Sequence, residues 1–286
     1  MIKKILLILA LIIALNFSTY ANILVKDYTT YFSLRELLEQ NGYTVTYEES
    51  KKRILGSKED SLVRFRIGHK EYYINAQLYT LEHAPFIHSD GLTYVSIDTL
   101  LGDNTIFLVS DLSPIIDLIL NKSLPNEALA DNLSMVVVTY LDYNATTRTG
   151  ILVVHKDLAL EVMEIFQEIY AAQFPIAEIS LVDKYDADDY TSMIHNNTSA
   201  FNYRFISGTT VLSNHALGEA IDINPLVNPH VIRGVAYPAE GAPYINRNTA
   251  AKGMIKEGDA VYNAFINRGW SWGGHWTNPD YQHFEK

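Results

Sequence analysis

Three side chains with metal-ligand chemistry stand out in the carboxyl-terminal part of the chain. His215 and Asp222 lie on either side of Gly218, and His283 follows far downstream. The sequence contains no cysteine, so any metal ion must be bound by imidazole and carboxylate groups. Two imidazoles and one carboxylate would leave a tetrahedral zinc ion one open position for water. That is the pattern of a catalytic zinc site rather than of a closed structural one.

The surroundings of Asp222 support this reading. Successive side chains of a strand point to opposite faces, and the segment alternates as Ala220, Asp222 and Asn224 on one face and Ile221 and Ile223 on the other. An otherwise apolar strand therefore carries one carboxylate. Because burying an unpaired carboxylate is costly, we expect Asp222 to face a cation.

Two further charged residues are candidates for catalysis. Zinc lowers the pKa of its bound water from about 15.7 toward ~7, yet a nearby base must still take the proton and return it to a leaving amine. Asp280, just before His283, is our candidate for that base. Arg204 lies upstream in a polar segment, and its fixed charge suits an oxyanion or a substrate carboxylate.

Several predicted elements would position these side chains. Two Val-rich runs separated by a polar turn predict a strand hairpin over 135–140 and 150–155. Apolar residues at helical spacing predict one helix from Leu158, bounded by Pro175, and another from Asp259 to Arg268, stopped by Gly269.

The amino-terminal half predicts a small α+β module over residues 23–110. The segments 31–38 and 94–101 resemble each other, each a strand end that leads into a short helix. Ser33 and Glu36 have the spacing of a capping box, and Asn41-Gly42 ends the first helix. Strands are predicted over 44–47, 62–67 and 71–74. Residues 111–134 are predicted to be a linker, and residues 135–286 a second domain.

The first residues predict export. Lys3 and Lys4 precede the apolar run Ile5–Leu15, and small residues near Ala21 offer a cleavage point. Residues 1–21 are therefore expected to be a signal peptide, or an uncleaved anchor if the apolar run extends further. We expect the protein in the bacterial cell envelope, periplasmic or extracellular, with membrane contact only through such an anchor.

Composition narrows the function classes. The 286 residues fit about two domains, and 48% hydrophobic content supports packed cores. With 22 Lys and Arg against 33 Asp and Glu, the formal charge is −11. A field of that sign repels phosphate backbones, so no nucleic-acid partner is expected.

The motif Ser-x-His-x-x-Gly-x-Ala-x-Asp over 213–222, followed by Asp-x-x-His over 280–283, resembles a known family. It is similar to the zinc peptidases that include D-alanyl-D-alanine carboxypeptidases and L-alanyl-D-glutamate endopeptidases. The resemblance extends from Met135 to Lys286 and implies the α+β fold shared with the hedgehog signalling domain, an antiparallel sheet with flanking helices. It also implies an exported hydrolase that cleaves peptidoglycan stem peptides in the cell wall.

The resemblance assigns roles to individual residues of this chain. It implies that Zn²⁺ is held by His215, Asp222 and His283 and that Asp280 is the catalytic base. It implies that Arg204 contacts both substrate and transition state and that Ser213 hydrogen-bonds near the metal or the substrate. Where members of the family often carry Asp after the paired glycines, this chain has His275, for which we expect no catalytic role.

The amino-terminal module carries a second resemblance. Its motifs Ile67-Gly68, Ile74-Asn75, Ala84-Pro85 and 91–96 resemble the copper-amine-oxidase-like N-terminal domain, an accessory module of bacterial envelope proteins. Despite its name, such a module implies no copper. We expect its three histidines to be surface residues: His69, His83 and His88.

Other residues receive a structural interpretation. His155, His195 and His230 are expected to be ordinary polar residues, and the acidic run 186–189 a solvated turn. The three tryptophans are expected to pack in the core: Trp270, Trp272 and Trp276.

Two alternative functions stay open on the sequence. One is a binding module that retains zinc without hydrolysis. The other is a dipeptidase or carboxypeptidase acting on small soluble peptides. The presence of Asp280 favours an enzyme, but which peptide bond is cleaved stays open.

Overall fold

A computed structural model describes residues 22–96 and 105–286. Two expected features lie outside the described residues: the export segment, 1–21, and the short helix at the end of the repeated segment 94–101. Of the helices within those ranges, none combines the length and apolarity needed to cross a bilayer. The chain divides into two compact units, one built on Tyr31–Ile106 and the other on Phe107–Lys286 together with Val25–Thr30.

The strands, in chain order, are β1 (Ile23–Lys26), β2 (Thr29–Ser33), β3 (Thr44–Glu48), β4 (Arg53–Lys58), β5 (Ser61–Arg66), β6 (Glu71–Ile74), β7 (Gln77–Thr80), β8 (Phe86–Ile87), β9 (Thr93–Ser96), β10 (Leu108–Ser110), β11 (Leu133–Leu141), β12 (Thr147–His155), β13 (Glu178–Ile179), β14 (Asn197–Thr198), β15 (Ala220–Asp222), β16 (His230–Ile232), β17 (Val235–Tyr237), β18 (Ser271–Trp272) and β19 (His283–Glu285). The α-helices are α1 (Leu34–Gln40), α2 (Ile116–Ile119), α3 (Ala159–Ala171), α4 (Asp189–Ile194), α5 (Asn214–Leu217) and α6 (Ala260–Ile266).

The amino-terminal unit contains a five-stranded antiparallel meander in the order β3-β4-β5-β6-β7. The three predicted strands correspond to β3, β5 and β6. Sequence analysis missed β4 and β7, because their short, mixed polar and apolar segments lack a clear alternation. Within β4, Gly56 lets the sheet approach α1, since a Cβ there would lie 3.1 Å from a methyl group of Leu38.

The amino-terminal end of α1 forms only half of the predicted capping box. The Ser33 hydroxyl accepts from the backbone N–H of Glu36 at 3.5 Å. The N–H of Ser33 donates to the carbonyl of Asn22 at 3.1 Å, and the Glu36 carboxylate accepts from the Asn22 backbone at 3.2 Å. The helix ends at Asn41 and Gly42 as predicted, with Gly42 in the left-handed region at φ 79°.

The predicted hairpin is the centre of the carboxyl-terminal unit. Strands β11 and β12 pair over nine residues each, from Leu133 opposite His155 to Leu141 opposite Thr147. They extend further into the turn than predicted because Asp142 organises a tight loop, accepting from the N–H groups of Asn144 and Thr146 at 2.8 Å each. Strand β10 adds to the free edge of β11. Residues 111–134, expected as a linker, contain α2 and a 3₁₀ turn.

Helices α3 and α6 share one core with the strands that carry the candidate site. The predicted helices are confirmed, and Asp259 caps α6 by accepting from the N–H of Tyr262 at 2.9 Å. The core joins residues of α3, α6, β11, β12, β15 and β19, including Phe166, Phe265, Ile221 and Phe284. Helices and several antiparallel sheets make the chain α+β, as expected; the short pair β13 and β14 is parallel.

Candidate metal centre

Two of the predicted ligands lie directly opposite each other in a sheet. Strands β15 and β19 are antiparallel, with Asp222 paired to His283, and β18 lies on the other side of β19. The intervening pair, Ile221 and Phe284, is fully buried in the core. Because side chains alternate along a strand, Asp222 and His283 project together from the face opposite the core.

The third predicted ligand lies at the start of a single helical turn. Ser213 caps α5, its hydroxyl accepting from the N–H of His215 at 3.3 Å. Gly218 ends α5 in the left-handed region at φ 73°, where a Cβ would lie 2.4 Å from the backbone nitrogen of His155. Only glycine fits both conditions, which explains the spacing His215-x-x-Gly218.

The structure brings the three predicted ligands together. The His215 Nε2 atom lies 3.2 Å from Asp222 Oδ2, and His283 Nδ1 lies 2.9 Å from Asp222 Oδ1. The two ring nitrogens are 3.2 Å apart. All three residues are buried, at 3, 6 and 7% exposure in chain order. Within the described ranges, this is the one group of three or more His and acidic residues close enough to share an ion.

These separations fit a tetrahedral ion. Zinc–nitrogen and zinc–oxygen bonds of about 2.0–2.1 Å at tetrahedral angles place ligand atoms roughly 3.4 Å apart, close to the distances observed. The ring orientations fit as well. The His215 Nδ1–H donates to the carbonyl of Ala200 at 2.5 Å, and the His283 Nε2–H donates to the Glu285 carboxylate at 3.0 Å. The inner nitrogens of both neutral rings therefore direct their lone pairs at each other and at Asp222, an arrangement that needs a cation or an added proton.

The pKa values of these groups show the same demand for positive charge. Burial alone disfavours the charged imidazolium, but hydrogen bonds to Asp222 and Glu285 raise the pKa of His283 to about 10. Burial likewise opposes ionisation of Asp222, yet the positive charge of a protonated His215 and the hydrogen bonds that both imidazoles donate when protonated hold its pKa far below the ordinary value. The site thus favours an ionised carboxylate facing a cation.

Sequence analysis missed two residues that orient His283. Glu285 accepts from His283, and the Asn214 side-chain amide donates to the same oxygen of Glu285 at 2.8 Å. Asn214 precedes ligand His215 on α5, so the bond also links the two ligand-bearing elements. The signal was present for Glu285, because residues two apart on a strand share a face.

Asp280 lies in the turn that leads into β19. Its N–H donates to the carbonyl of Gly273 at 2.9 Å, and its own carbonyl accepts from the N–H of His283 at 3.3 Å. A Cβ on Gly273 would lie 2.7 Å from the Asp280 carbonyl oxygen, so this close approach depends on glycine. Burial, followed by the charge of Asp222, raises the pKa of Asp280 to about 7. One carboxylate oxygen, Oδ1, is buried without a hydrogen-bond partner among the described residues.

His230, expected to be an ordinary polar residue, lies beside Asp280. Its Nδ1 atom is 3.5 Å from Asp280 Oδ2, and the backbones of the two residues form an isolated antiparallel bridge. Burial is the main cause that lowers the pKa of His230, which favours the neutral ring. No sequence spacing linked His230, at the start of β16, to the turn before β19.

Arg204 and Ser213 are adjacent across a loop. The Ser213 N–H donates to the carbonyl of Arg204 at 3.0 Å, and Arg204 Nη1 lies 3.5 Å from Ser213 Oγ. The guanidinium also forms an ion pair with Asp189, which was expected to be part of a solvated turn. The preceding residue, Asp188, caps α4 by accepting from Thr191 N–H at 2.7 Å.

The aromatic residues divide into two groups. Trp270 and Trp272 are buried in the core, as expected. Trp276 is 41% exposed, with its ring centroid 5.3 Å from that of His283, so the expectation of core packing is wrong for this residue. His275 packs edge-on against the rings of Tyr262 and Trp272, and its side chain is 49% exposed.

Two family models match the chain. Residues 207–286 match the family model of D-alanyl-D-alanine carboxypeptidase, a span that includes Ser213, the three predicted ligands and Asp280 but not Arg204. Residues 15–102 match the copper amine oxidase N-terminal domain. No individual curated protein matches the chain. Both predicted resemblances are confirmed, and the carboxyl-terminal match supports a peptidase of the D-alanyl-D-alanine carboxypeptidase family.

Proposed function

We propose that this protein is an exported zinc peptidase that cleaves peptidoglycan stem peptides in the cell envelope. The observation that supports this most strongly is the convergence of the His215, Asp222 and His283 ligand atoms, each within 4.8 Å of the others. A buried carboxyl group of raised pKa beside this group supports hydrolysis over simple metal retention. The family match supports the substrate class.

In this proposal His215, Asp222 and His283 hold the zinc ion, which when bound supplies Lewis acidity and an activated water molecule. The Asp280 carboxylate takes the proton from the attacking water and returns it to the leaving amine. A group with a pKa near the working pH performs both transfers well. In the same proposal Arg204 contacts the substrate and the developing oxyanion of the transition state, and Ser213 fixes the loop that presents it.

The test combines metal dependence with one substitution. Purified protein should cleave peptidoglycan fragments, lose the activity to a chelator and regain it with zinc. Asp280→Asn should lower kcat by about a hundredfold or more while the zinc content stays at the wild-type level. Asp186→Asn is the matched control, because it removes an exposed carboxylate at a left-handed position, φ 56°, that Asn tolerates. Equal turnover in Asp280→Asn and wild type would remove Asp280 from this role.

A further inference from the structure

The positive charge of Arg204 is compensated within the protein. Its Nη2 atom lies 3.2 Å from Asp189 Oδ1 and 3.1 Å from Asp189 Oδ2. Both side chains are 31% exposed, so the pair lies at the protein surface rather than in the core. A substrate carboxylate that approaches Arg204 therefore meets Asp189 at nearly the same place.

An aromatic pair extends the surface from Arg204 and Asp189 toward Asp280, and we call this surface the flank. The rings of Tyr190 and Tyr237 lie 5.3 Å apart, and Tyr190, next to Asp189 in α4, donates to Glu240 at 2.7 Å. Tyr237 is paired with His230 across β16 and β17, and His230 lies beside Asp280. The flank thus runs from Arg204 to the candidate base.

The charges along this flank are predominantly negative. Asp188 and Asp189 act on Tyr237 electrostatically together with Arg204, and Glu240 is bound to Tyr190. The flank therefore carries three negatively charged carboxylates and one positively charged guanidinium. Of these three carboxylates, Asp189 is the one paired with the guanidinium. Because like charges repel, Asp189 makes this flank disfavour an anionic substrate group and tolerate a neutral amide.

We propose that Asp189 determines substrate specificity by neutralising Arg204. The protein then prefers peptide bonds in which the residue after the scissile bond is joined onward by an amide. It disfavours peptide bonds in which that residue ends in a free carboxylate. Asp189 acts here through Arg204 and takes no part in proton transfer. The inference rests on the proposed function and specifies its substrate as the interior of a peptide rather than its end.

The experiment compares two stem-peptide analogues that are identical except for a free carboxylate or an amide at the residue after the scissile bond. The wild-type protein should show a higher kcat/KM for the amide. Asp189→Asn should raise the carboxylate-to-amide ratio of kcat/KM by about tenfold or more, because Arg204 becomes free to bind an anion. Asp189→Ser removes the same charge with a smaller side chain and should give the same change, so the result does not depend on one variant folding.

Asp188→Asn is the matched control. It removes one charge at the neighbouring position and keeps the helix cap, since Asn caps as well as Asp, and it should leave the ratio near the wild-type value. A wild-type preference for the free carboxylate, or an unchanged ratio in both Asp189 variants, would overturn the inference. Failure of the wild type to cleave either peptide in the presence of zinc would instead count against the proposed function.

Discussion

At the residue scale, each imidazole of the candidate centre is held by an oxygen acceptor on its outer nitrogen. The carbonyl of Ala200 fixes the ring of His215, and the carboxylate of Glu285 fixes that of His283. These contacts set which nitrogen faces the ion, and such outer partners raise the basicity of the ligand. Glu285 therefore belongs to the site as a positioning residue.

We expect Glu285→Gln to weaken zinc binding by about 10- to 100-fold, because the amide keeps a hydrogen bond to His283 but loses the negative charge. Asn214→Ala should weaken binding in the same direction by less, since it only releases Glu285. Competition with a chromophoric chelator measures the affinity. Glu257→Gln, an exposed carboxylate near His275, should leave it unchanged. An equal affinity in Glu285→Gln and wild type would contradict this role.

The pH dependence follows from Asp280. A general base works only when ionised, and burial followed by the charge of Asp222 raises its pKa to about 7. Activity should therefore fall as the pH is lowered toward and through that value. A bound cation offsets the negative charge of Asp222, lowers the pKa of Asp280 and so moves this fall in activity to lower pH. We expect the acid limb of kcat/KM at an apparent pKa clearly above the ordinary carboxyl value of about 4. A limb at the ordinary value, or the same limb in the residual activity of Asp280→Asn, would exclude Asp280 as its source.

The candidate ligands and the candidate base could be identified from the sequence because their types and spacing are local signals. His215 and Asp222 are tied by one short helix, one glycine and one strand, and Asp280 precedes His283 in the same turn. The contacts of Arg204 with Asp189 and of His230 with Asp280 were not predictable in this way. These contacts join segments that loop packing brings together, and the spacing of residues along the sequence does not predict loop packing.

At the element scale, the end of α5 fixes where His215 lies. Gly218 closes the helix, and its carbonyl accepts from the N–H of His155 at 2.8 Å, which attaches the ligand-bearing turn to β12. The sheet of β15, β18 and β19 supplies the other two candidate ligands. Their meeting point therefore depends on a glycine position that has neither space nor a suitable backbone angle for another residue.

We expect Gly218→Ala to lower stability by about 2–5 kcal/mol and to weaken zinc binding. The left-handed conformation costs roughly 1–2 kcal/mol for alanine, and overpacking against the backbone of β12 adds roughly 1–3 kcal/mol. Gly269→Ala is the matched control, since Gly269 has φ 82° with no atom within 4 Å of an added Cβ. It should show only the conformational cost and normal zinc affinity. Equal losses of melting temperature in the two variants would contradict the account.

At the scale of the whole molecule, the division of the chain differs in detail from the predicted boundaries. The predicted first domain ends at residue 110, whereas β10 pairs with β11 through Leu108 and Val137 and the second unit contains Phe107–Lys286 together with Val25–Thr30. A three-residue edge strand is too short to be identified from sequence. The antiparallel architecture and the long helix α3 were predictable because their apolar periodicity is strong.

We expect a chain that lacks residues 31–106 but keeps Val25–Thr30 with Phe107–Lys286 to retain its cleavage of small peptides and to lose part of its action on intact cell wall, because we propose that the amino-terminal unit positions the peptidase in the envelope. Assays on a soluble stem peptide and on sedimented wall, run side by side, measure the two activities. A chain that loses both activities although it retains its helical circular-dichroism signal would indicate that catalysis needs both units.

The proposed function requires one divalent ion bound by His215, Asp222 and His283. The most direct measurement is a crystal structure of the zinc-loaded protein with anomalous diffraction collected on both sides of the zinc edge. We predict one strong peak within about 2.0–2.2 Å of His215 Nε2, His283 Nδ1 and an oxygen of Asp222. A zinc-loaded crystal with no peak between these atoms, or with the metal bound elsewhere, would contradict the account.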